Sequence, residues 1–206
     1  MWYVLFFVGA YLIGNINPAI IVARKTKNID IRSINSKNAG TSNAVMTIGW
    51  RWGMFVLFMD MLKGFVPALI ARLIFPDNDV YWYVAGFGAI IGHIYPVFLG
   101  FHGGKGTATF GGVLFATVPV VAAILFVSTA LILLISDYIA VATLIVTVAT
   151  PIILYFLGVE TASLIIMIVF VILSFYKHRE NYLRLVRGQE VGLRKFYRNK
   201  DKIRVK

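Results

Sequence analysis

The segment running from Gly92-His93 through Tyr95-Pro96 to His102-Gly103-Gly104-Lys105-Gly106-Thr107-Ala108-Thr109 holds the densest grouping of residues able to do chemistry. Glycines at 103, 104 and 106 remove the side chains that would keep backbone N–H groups away from an anion. Lys105 adds a full charge among them, and the hydroxyls of Thr107 and Thr109 add donors where the next helix is predicted to start. That is phosphate-binding chemistry, although a plain inter-helix turn uses the same glycines. It is not a nucleotide P-loop. That motif has four residues between its first glycine and its Gly-Lys pair, whereas Gly100 leaves only three before Gly104-Lys105.

Three further patches carry polar residues that would be costly facing lipid. Asp30-Ile31-Arg32-Ser33-Ile34-Asn35-Ser36-Lys37-Asn38-Ala39-Gly40-Thr41-Ser42-Asn43 is a run of hydroxyl, amide and basic residues leading into an apolar helix. Its last residues can cap that helix, and its donors can form an anion site at the helix N-terminus. Asp60 and Lys63, in Asp60-Met61-Leu62-Lys63-Gly64, are three apart on one helix face and can pair. Such a buried pair either ties helices together or supports a site, and His93 is a further candidate for that support. In Lys177-His178-Arg179-Glu180-Asn181, the residues His178 and Asn181 share a helix face, and Glu190 follows beyond Gly188.

Other chemistries are excluded. The chain has no cysteine, so it has no disulfide, thiolate metal site or thioester intermediate. No histidine has an aspartate five residues on, the positions being Phe98, Thr107 and Leu183, so the His-x4-Asp signature of acyl-CoA-dependent acyltransferases is missing. The histidines and carboxylates give no dedicated metal cage.

These patches must be positioned by membrane helices. The chain is 59% hydrophobic and 14% charged, against roughly half and a quarter in soluble domains, and its mean hydropathy is +0.81. The fold class is therefore all-α and polytopic, one integral membrane domain over 1–206 with a basic tail from about 177. A net charge of +11 would suggest nucleic acid in a soluble protein. Here five of the twenty basic residues lie in Arg24–Lys37 and eleven in Lys177–Lys206, beside predicted spans, where the positive-inside rule and anionic headgroups account for them. Nucleic acid is not an expected partner. Met1–Gly14 lacks a basic n-region and a cleavage site and is read as the first span. Taking about 20 residues per span, the sequence predicts seven spans, with breaks near Pro119, Asp137 and Gly158–Glu160, Asp137 on the inner side and Glu160 on the outer. Five long tilted spans are the alternative.

With those motifs in place, the chain resembles the bacterial acyl-phosphate-dependent glycerol-3-phosphate acyltransferases, the PlsY family. Asp60-Met-Leu-Lys-Gly64, Gly92-His-Ile-Tyr-Pro-Val-Phe-Leu-Gly-Phe-His-Gly-Gly-Lys-Gly-Thr-Ala-Thr109 and His178-Arg-Glu-Asn-Tyr-Leu-Arg-Leu-Val-Arg-Gly-Gln-Glu190 match its pattern in order and spacing. The likeness runs from about Tyr11 to Glu190. It implies a seven-helix enzyme of the bacterial cytoplasmic membrane that moves a fatty acyl group from acyl phosphate to glycerol-3-phosphate, making lysophosphatidic acid for phospholipid biosynthesis without metal or coenzyme. The implied catalytic residues are Ser36, His178 and Asn181. Lys37, Asn38, Gly40, Thr41, Asn43, Gly103, Gly104, Lys105, Gly106 and Thr107 are expected to bind substrate phosphate, with Asp60, Lys63, His93 and Glu190 in support.

The chain departs from the family where Gly-Ser-Gly-Asn is usual, having Asn35-Ser36-Lys37-Asn38, and where an arginine is common, having Met46. Lys37 can replace that cation. Two other classes share the basic loops. A phosphate-ester transporter usually brings internal repeats and midplane polar residues, whereas the spans after Gly112 are almost wholly apolar. A non-catalytic paralogue binding anionic lipid fits the missing arginine.

Overall fold

The computed structural model describes residues 1–192 and 194, and the rest of the expected basic tail lies outside the described residues. Nine α-helices follow one another among the described residues. They are α1 (Trp2–Gly14), α2 (Pro18–Lys27), α3 (Thr41–Ile48), α4 (Trp50–Ile74), α5 (Asp79–Ile94), α6 (Thr107–Thr117), α7 (Pro119–Ser136), α8 (Ile139–Phe156) and α9 (Thr161–Val186). The basic segment from Lys177 begins as the last turns of α9, as the shared helix face of His178 and Asn181 requires.

Six segments are long and apolar enough to cross a membrane, with α1 and α2 forming one interrupted span, Trp2–Lys27. The remaining expected span, α6, has 11 residues. At 1.5 Å per residue it covers about 16 Å, half of a hydrocarbon core of about 30 Å. The breaks fall where the sequence places them. Val118 is extended (φ −136°) before Pro119, which disfavours a helical residue ahead of it; Asp137 and Gly158 turn the chain with φ of 69° and 72°. Five long helices therefore do not form.

Contacts between distant residues fix which ends share a side. Asp79, opening α5, accepts hydrogen bonds from Ser163 Oγ (2.9 Å) and Glu160 N (3.1 Å) at the start of α9. Arg72 Nη1, near the end of α4, donates to the carbonyls of Ala116 (2.8 Å) and Thr117 (3.3 Å) at the end of α6. On the opposite side Asp137 accepts from the backbone N–H of Arg194 at 2.9 Å. The α4–α5 turn, the α6–α7 break and Glu160 therefore lie together, with Asp137 on the tail side.

The first span breaks because Pro18 supplies no N–H and keeps Asn17 out of helical geometry. Asn17 then caps α2, its Oδ1 accepting from Ile20 N (3.0 Å), while its Nδ2 reaches the carbonyl of Ala39 (3.2 Å). The break also frees the Ile16 carbonyl, which accepts from Lys63 Nζ at 2.9 Å. Alongside, Gly88 and Gly92 of α5 lie four apart against the backbone carbonyls of Phe7 and Tyr11 on α1, where any Cβ would collide. This is the small-residue contact by which membrane helices approach closely.

Candidate active site

Three segments converge on the tail side: the loop before α3, the loop between α5 and α6, and the last turns of α9. Together they line a cleft of about 720 Å³, within the usual range for small-ligand sites. Its walls carry six cations, Arg32, Lys37, Lys105, Lys177, Arg179 and Arg184, against the carboxylates Asp30 and Glu180. Ser36, Asn38 and Asn181 lie among them. The charge balance selects a polyanion.

The first loop is held from within. Asn43, fully buried at the start of α3, points its Nδ2 at the carbonyls of Ile31 (2.8 Å), Ile34 (3.1 Å) and Asn38 (3.0 Å). Its Oδ1 accepts from Thr47 Oγ1 at 3.3 Å. Asn43, expected to bind phosphate, is therefore spent on shaping the loop. Asp30 grips Arg32 through its backbone N–H (2.9 Å) and guanidinium (2.8 Å to Nη2), and Arg32 Nη1 reaches the Leu99 carbonyl in the second loop at 3.3 Å. Bonded to Arg32, the Asp30 carboxyl is held down at about 2. Asn35 and Lys37 take left-handed backbone with φ of 50° and 56°, which turns the exposed Lys37 and Ser36 to the cleft. Gly40 and Thr41 begin α3, and the Thr41 hydroxyl is buried without a hydrogen-bond partner among the described residues.

The glycine loop works differently from the sequence expectation. The N–H groups of Gly103 and Gly104 do not face an anion, because they donate to the carbonyls of Ile94 (3.2 Å) and His93 (3.1 Å) at the end of α5. Their lack of side chains serves packing: a Cβ on Gly103 would strike the His93 carbonyl, and one on Gly104 the His93 ring. Gly106 turns the chain into α6 with φ of 87°. Thr107 remains partly exposed at the helix start, whereas Thr109 is buried against Gly64 and lies away from the cleft. The charged side chain that this loop presents to the cleft is thus Lys105, just ahead of the first turn of α6.

Beneath the loop sits a buried cluster. Lys63 Nζ lies 2.7 Å and His93 Nδ1 3.2 Å from Asp60 Oδ1, all three being nearly inaccessible. With Lys63 also holding the α1–α2 break and His93 packed on Gly104, this cluster connects three helices to the glycine loop and supports it without entering the cleft.

On α9, Lys105 Nζ donates to Asn181 Oδ1. Asn181 Nδ2 in turn donates to Glu190 Oε1 (2.7 Å), and Glu190 Oε2 accepts from Arg184 Nε (2.7 Å). An ammonium can only donate and a carboxylate only accept, so the two partners fix the orientation of the amide, and one Asn181 N–H remains available. Burial, reinforced by the nearby charge of Arg184, brings the Lys105 ammonium down to about 8. His178 is buried one turn below Asn181, with Nδ1 2.9 Å from the Ser174 carbonyl. That carbonyl can only accept, so Nδ1 carries a proton and Nε2 is the free acceptor of the neutral ring.

Sequence reading missed Arg184, Arg32, Lys177 and Arg179 as cleft residues. Lys177, Asn181 and Arg184 recur at i, i+4 and i+7, the spacing of one helix face, and that signal was present. Arg32 could not be placed without knowing that Leu99 folds beside it.

Known proteins are similar to this chain in sequence and in fold. A family described as glycerol-3-phosphate acyltransferase matches residues 4–188. A glycerol-3-phosphate acyltransferase from Aquifex aeolicus (strain VF5) is 40% identical over 89% of this chain and 95% of its own. One from Endomicrobium trichonymphae is 36% identical over 94% and 96%. The crystal structure of PlsY (YgiH), an integral membrane glycerol 3-phosphate acyltransferase in its glycerol 3-phosphate form, superposes with a TM-score of 0.88 at 38% identity, covering 93% of this chain and 95% of that one. The lysophosphatidic acid form of PlsY gives 0.84 at 36%.

Proposed function

This chain belongs to the glycerol-3-phosphate acyltransferase family, and we propose that it transfers a fatty acyl group from acyl phosphate to the first hydroxyl of glycerol-3-phosphate, releasing lysophosphatidic acid and inorganic phosphate. The observation that carries this reading is the cleft of six cations and two carboxylates set among membrane-spanning helices. It suits two phosphate-bearing substrates, one of which has a lipid tail.

The hydroxyl oxygen of glycerol-3-phosphate attacks the acyl carbonyl carbon, the new ester bond forms, and the bond from that carbon to the phosphate oxygen breaks. The donor is already an activated anhydride, so positioning and charge stabilisation supply most of what is needed. Lys105, Lys37 and the first turn of α6 hold phosphate, and Ser36 and Asn38 line the reacting end. The hydroxyl proton leaves with the phosphate, and the spare Asn181 N–H faces the developing oxyanion. His178, buried one turn below Asn181 and outside the cleft lining, supports that end of the site with its Nε2 as the free acceptor. The missing His-x4-Asp signature favours acyl phosphate over acyl-CoA as donor. By the positive-inside rule the cleft opens to the cytoplasm of a bacterial inner membrane.

The test is direct. Purified protein is given glycerol-3-phosphate with acyl phosphate or with acyl-CoA, and lysophosphatidate is measured. Formation from acyl phosphate alone is expected; formation from acyl-CoA alone, or from neither donor, overturns the reading.

A further inference from the structure

We infer that Asp137, on the loop joining α7 to α8, is a positioning residue for the Lys105 ammonium and acts through the chain that follows α9. Nothing in the reaction touches Asp137, and it stands outside all four polar patches. Its left-handed backbone, φ 69°, turns its side chain toward the end of the described chain. There Oδ1 accepts from the Arg194 backbone N–H at 2.9 Å, the Arg194 side chain lies 4.0 Å away, and Gly192 packs so closely that a Cβ would collide with Oδ2. A residue at the tip of a loop has thereby become the anchor of a strap.

The strap's other end is fixed by α9 itself. Gly188 takes φ 67°, and the N–H groups of Gln189 and Glu190 both donate to the Arg184 carbonyl, at 2.8 and 3.2 Å. Glu190 is held between this turn and the Asp137 anchor. Its carboxylate orients Asn181, and Asn181 holds Lys105. The order of dependence is therefore Asp137, strap, Glu190, Asn181, Lys105.

Segments outside regular elements are mobile unless tied down, and Glu190 retains some access to water, with 12% of its side chain exposed. Without the anchor the carboxylate exchanges its protein bonds for water, Asn181 loses the partner that sets its amide, and the long Lys105 side chain regains its rotamers. Lys105 holds phosphate in ground state and transition state alike, so loosening it removes uniform binding, which raises KM and leaves kcat little changed.

The inference rests on the reading of Lys105 as a phosphate binder, and the experiment separates the two. Asp137→Gly keeps the left-handed turn and removes the carboxylate, whereas Asp137→Asn keeps both the turn and an acceptor oxygen. A nitroxide on Gln189→Cys, in a chain without other cysteines, reports strap mobility with no substrate present. Asp137→Gly is expected to mobilise the label and to raise, about three- to tenfold, KM for the substrate whose KM rises in Lys105→Ala, with kcat within about twofold. Asp137→Asn should restore both. An immobile label in Asp137→Gly overturns the strap, and a mobile label with unchanged KM overturns its link to Lys105. Equal damage from Asn and Gly overturns the role of the acceptor oxygen. If Lys105→Ala alters neither substrate's KM, the phosphate-binding reading fails instead, while the label still decides whether the strap exists.

Discussion

Lys105 Nζ and Asn181 Oδ1 are hydrogen-bonded across the cleft, joining the glycine loop to α9. Both residues line the cleft, and the bond places a partly buried ammonium between the two segments that most resemble substrate-binding motifs. Its burial gives the site a pH dependence of definite sign.

Because burial lowers Lys105 to about 8, the ammonium is charged below that value and loses its charge as pH rises through it. The ratio kcat/KM, which reports the free enzyme, should therefore fall with a descending limb near pH 8. Lys105→Arg should move that limb upward, since a guanidinium stays protonated. Lys105→Ala should cost at least tenfold in KM for one substrate, a charge-assisted contact being worth about 1.5–3 kcal/mol. A kcat/KM profile of Lys105→Arg that keeps the wild-type limb would assign the limb to another group.

Asn43 tests the distinction between shaping a site and entering it. Asn43→Asp keeps size but cannot donate to the carbonyls of Ile31, Ile34 and Asn38. The first two keep the backbone N–H groups of Ile34 and Lys37, while that of Asn38 loses its donor and a carboxyl oxygen is set against all three. A buried acceptor left without a partner costs about 1–3 kcal/mol. The thermal midpoint in detergent should fall by several degrees. Activity per folded molecule should fall through the loss of loop order, not through a selective change in phosphate affinity. A purely selective change in KM with an unaltered midpoint would return Asn43 to the list of substrate ligands.

Much of this architecture was legible locally. Val118-Pro119, Asp137 and Gly158 end helices by backbone preferences that belong to the residues themselves, and a span's length follows from counting. The roles of Gly103, Gly104 and Asn43 were not legible. Their donors are satisfied by carbonyls of His93, Ile94, Ile31 and Asn38, and only the folded chain shows that these carbonyls are near. A glycine that lets an anion approach and a glycine that lets a helix end approach look alike in sequence. The physical distinction is who accepts the N–H.

Sidedness can be read by labelling, since the chain has no cysteine. Lys37→Cys and Asp77→Cys are both in exposed loops at opposite ends of α4. An impermeant thiol reagent applied to intact cells should label Asp77→Cys, and Lys37→Cys should react only after permeabilisation. The reverse pattern would invert the topology and place the cleft outside.

Lys37 lines the cleft from a left-handed position, whereas Met46 lies on α3 outside the cleft lining. Lys37→Gly removes the charge and suits φ 56°, so folding should be unharmed while most activity is lost. Adding Met46→Arg should restore a substantial part, because a guanidinium can meet phosphate with two donors where an ammonium acts as a point charge. Full activity of Lys37→Gly, or no recovery in the double variant, would show that Lys37 does not stand in for the family's arginine.

The buried Asp60, Lys63 and His93 cluster makes the sharpest demand on stability. Lys63→Met leaves the Asp60 carboxylate in a site with 1% exposure, and breaking one half of a buried ion pair costs about 3–5 kcal/mol. The Ile16 carbonyl also loses its donor, so α1 and α2 should loosen at their break. Replacing both partners, Asp60→Leu with Lys63→Met, removes the stranded charge and should recover a large part of the thermal midpoint. It should not recover activity equally, because His93 then lacks the carboxylate beside its Nδ1, and its ring is what Gly104 packs against. The expected result is a double variant that is folded and has a raised KM for the substrate held by Lys105. A double variant with wild-type kinetics would make the cluster a tie between helices with no bearing on the glycine loop. A double variant less stable than Lys63→Met alone would show that the pair contributes more than it costs to bury.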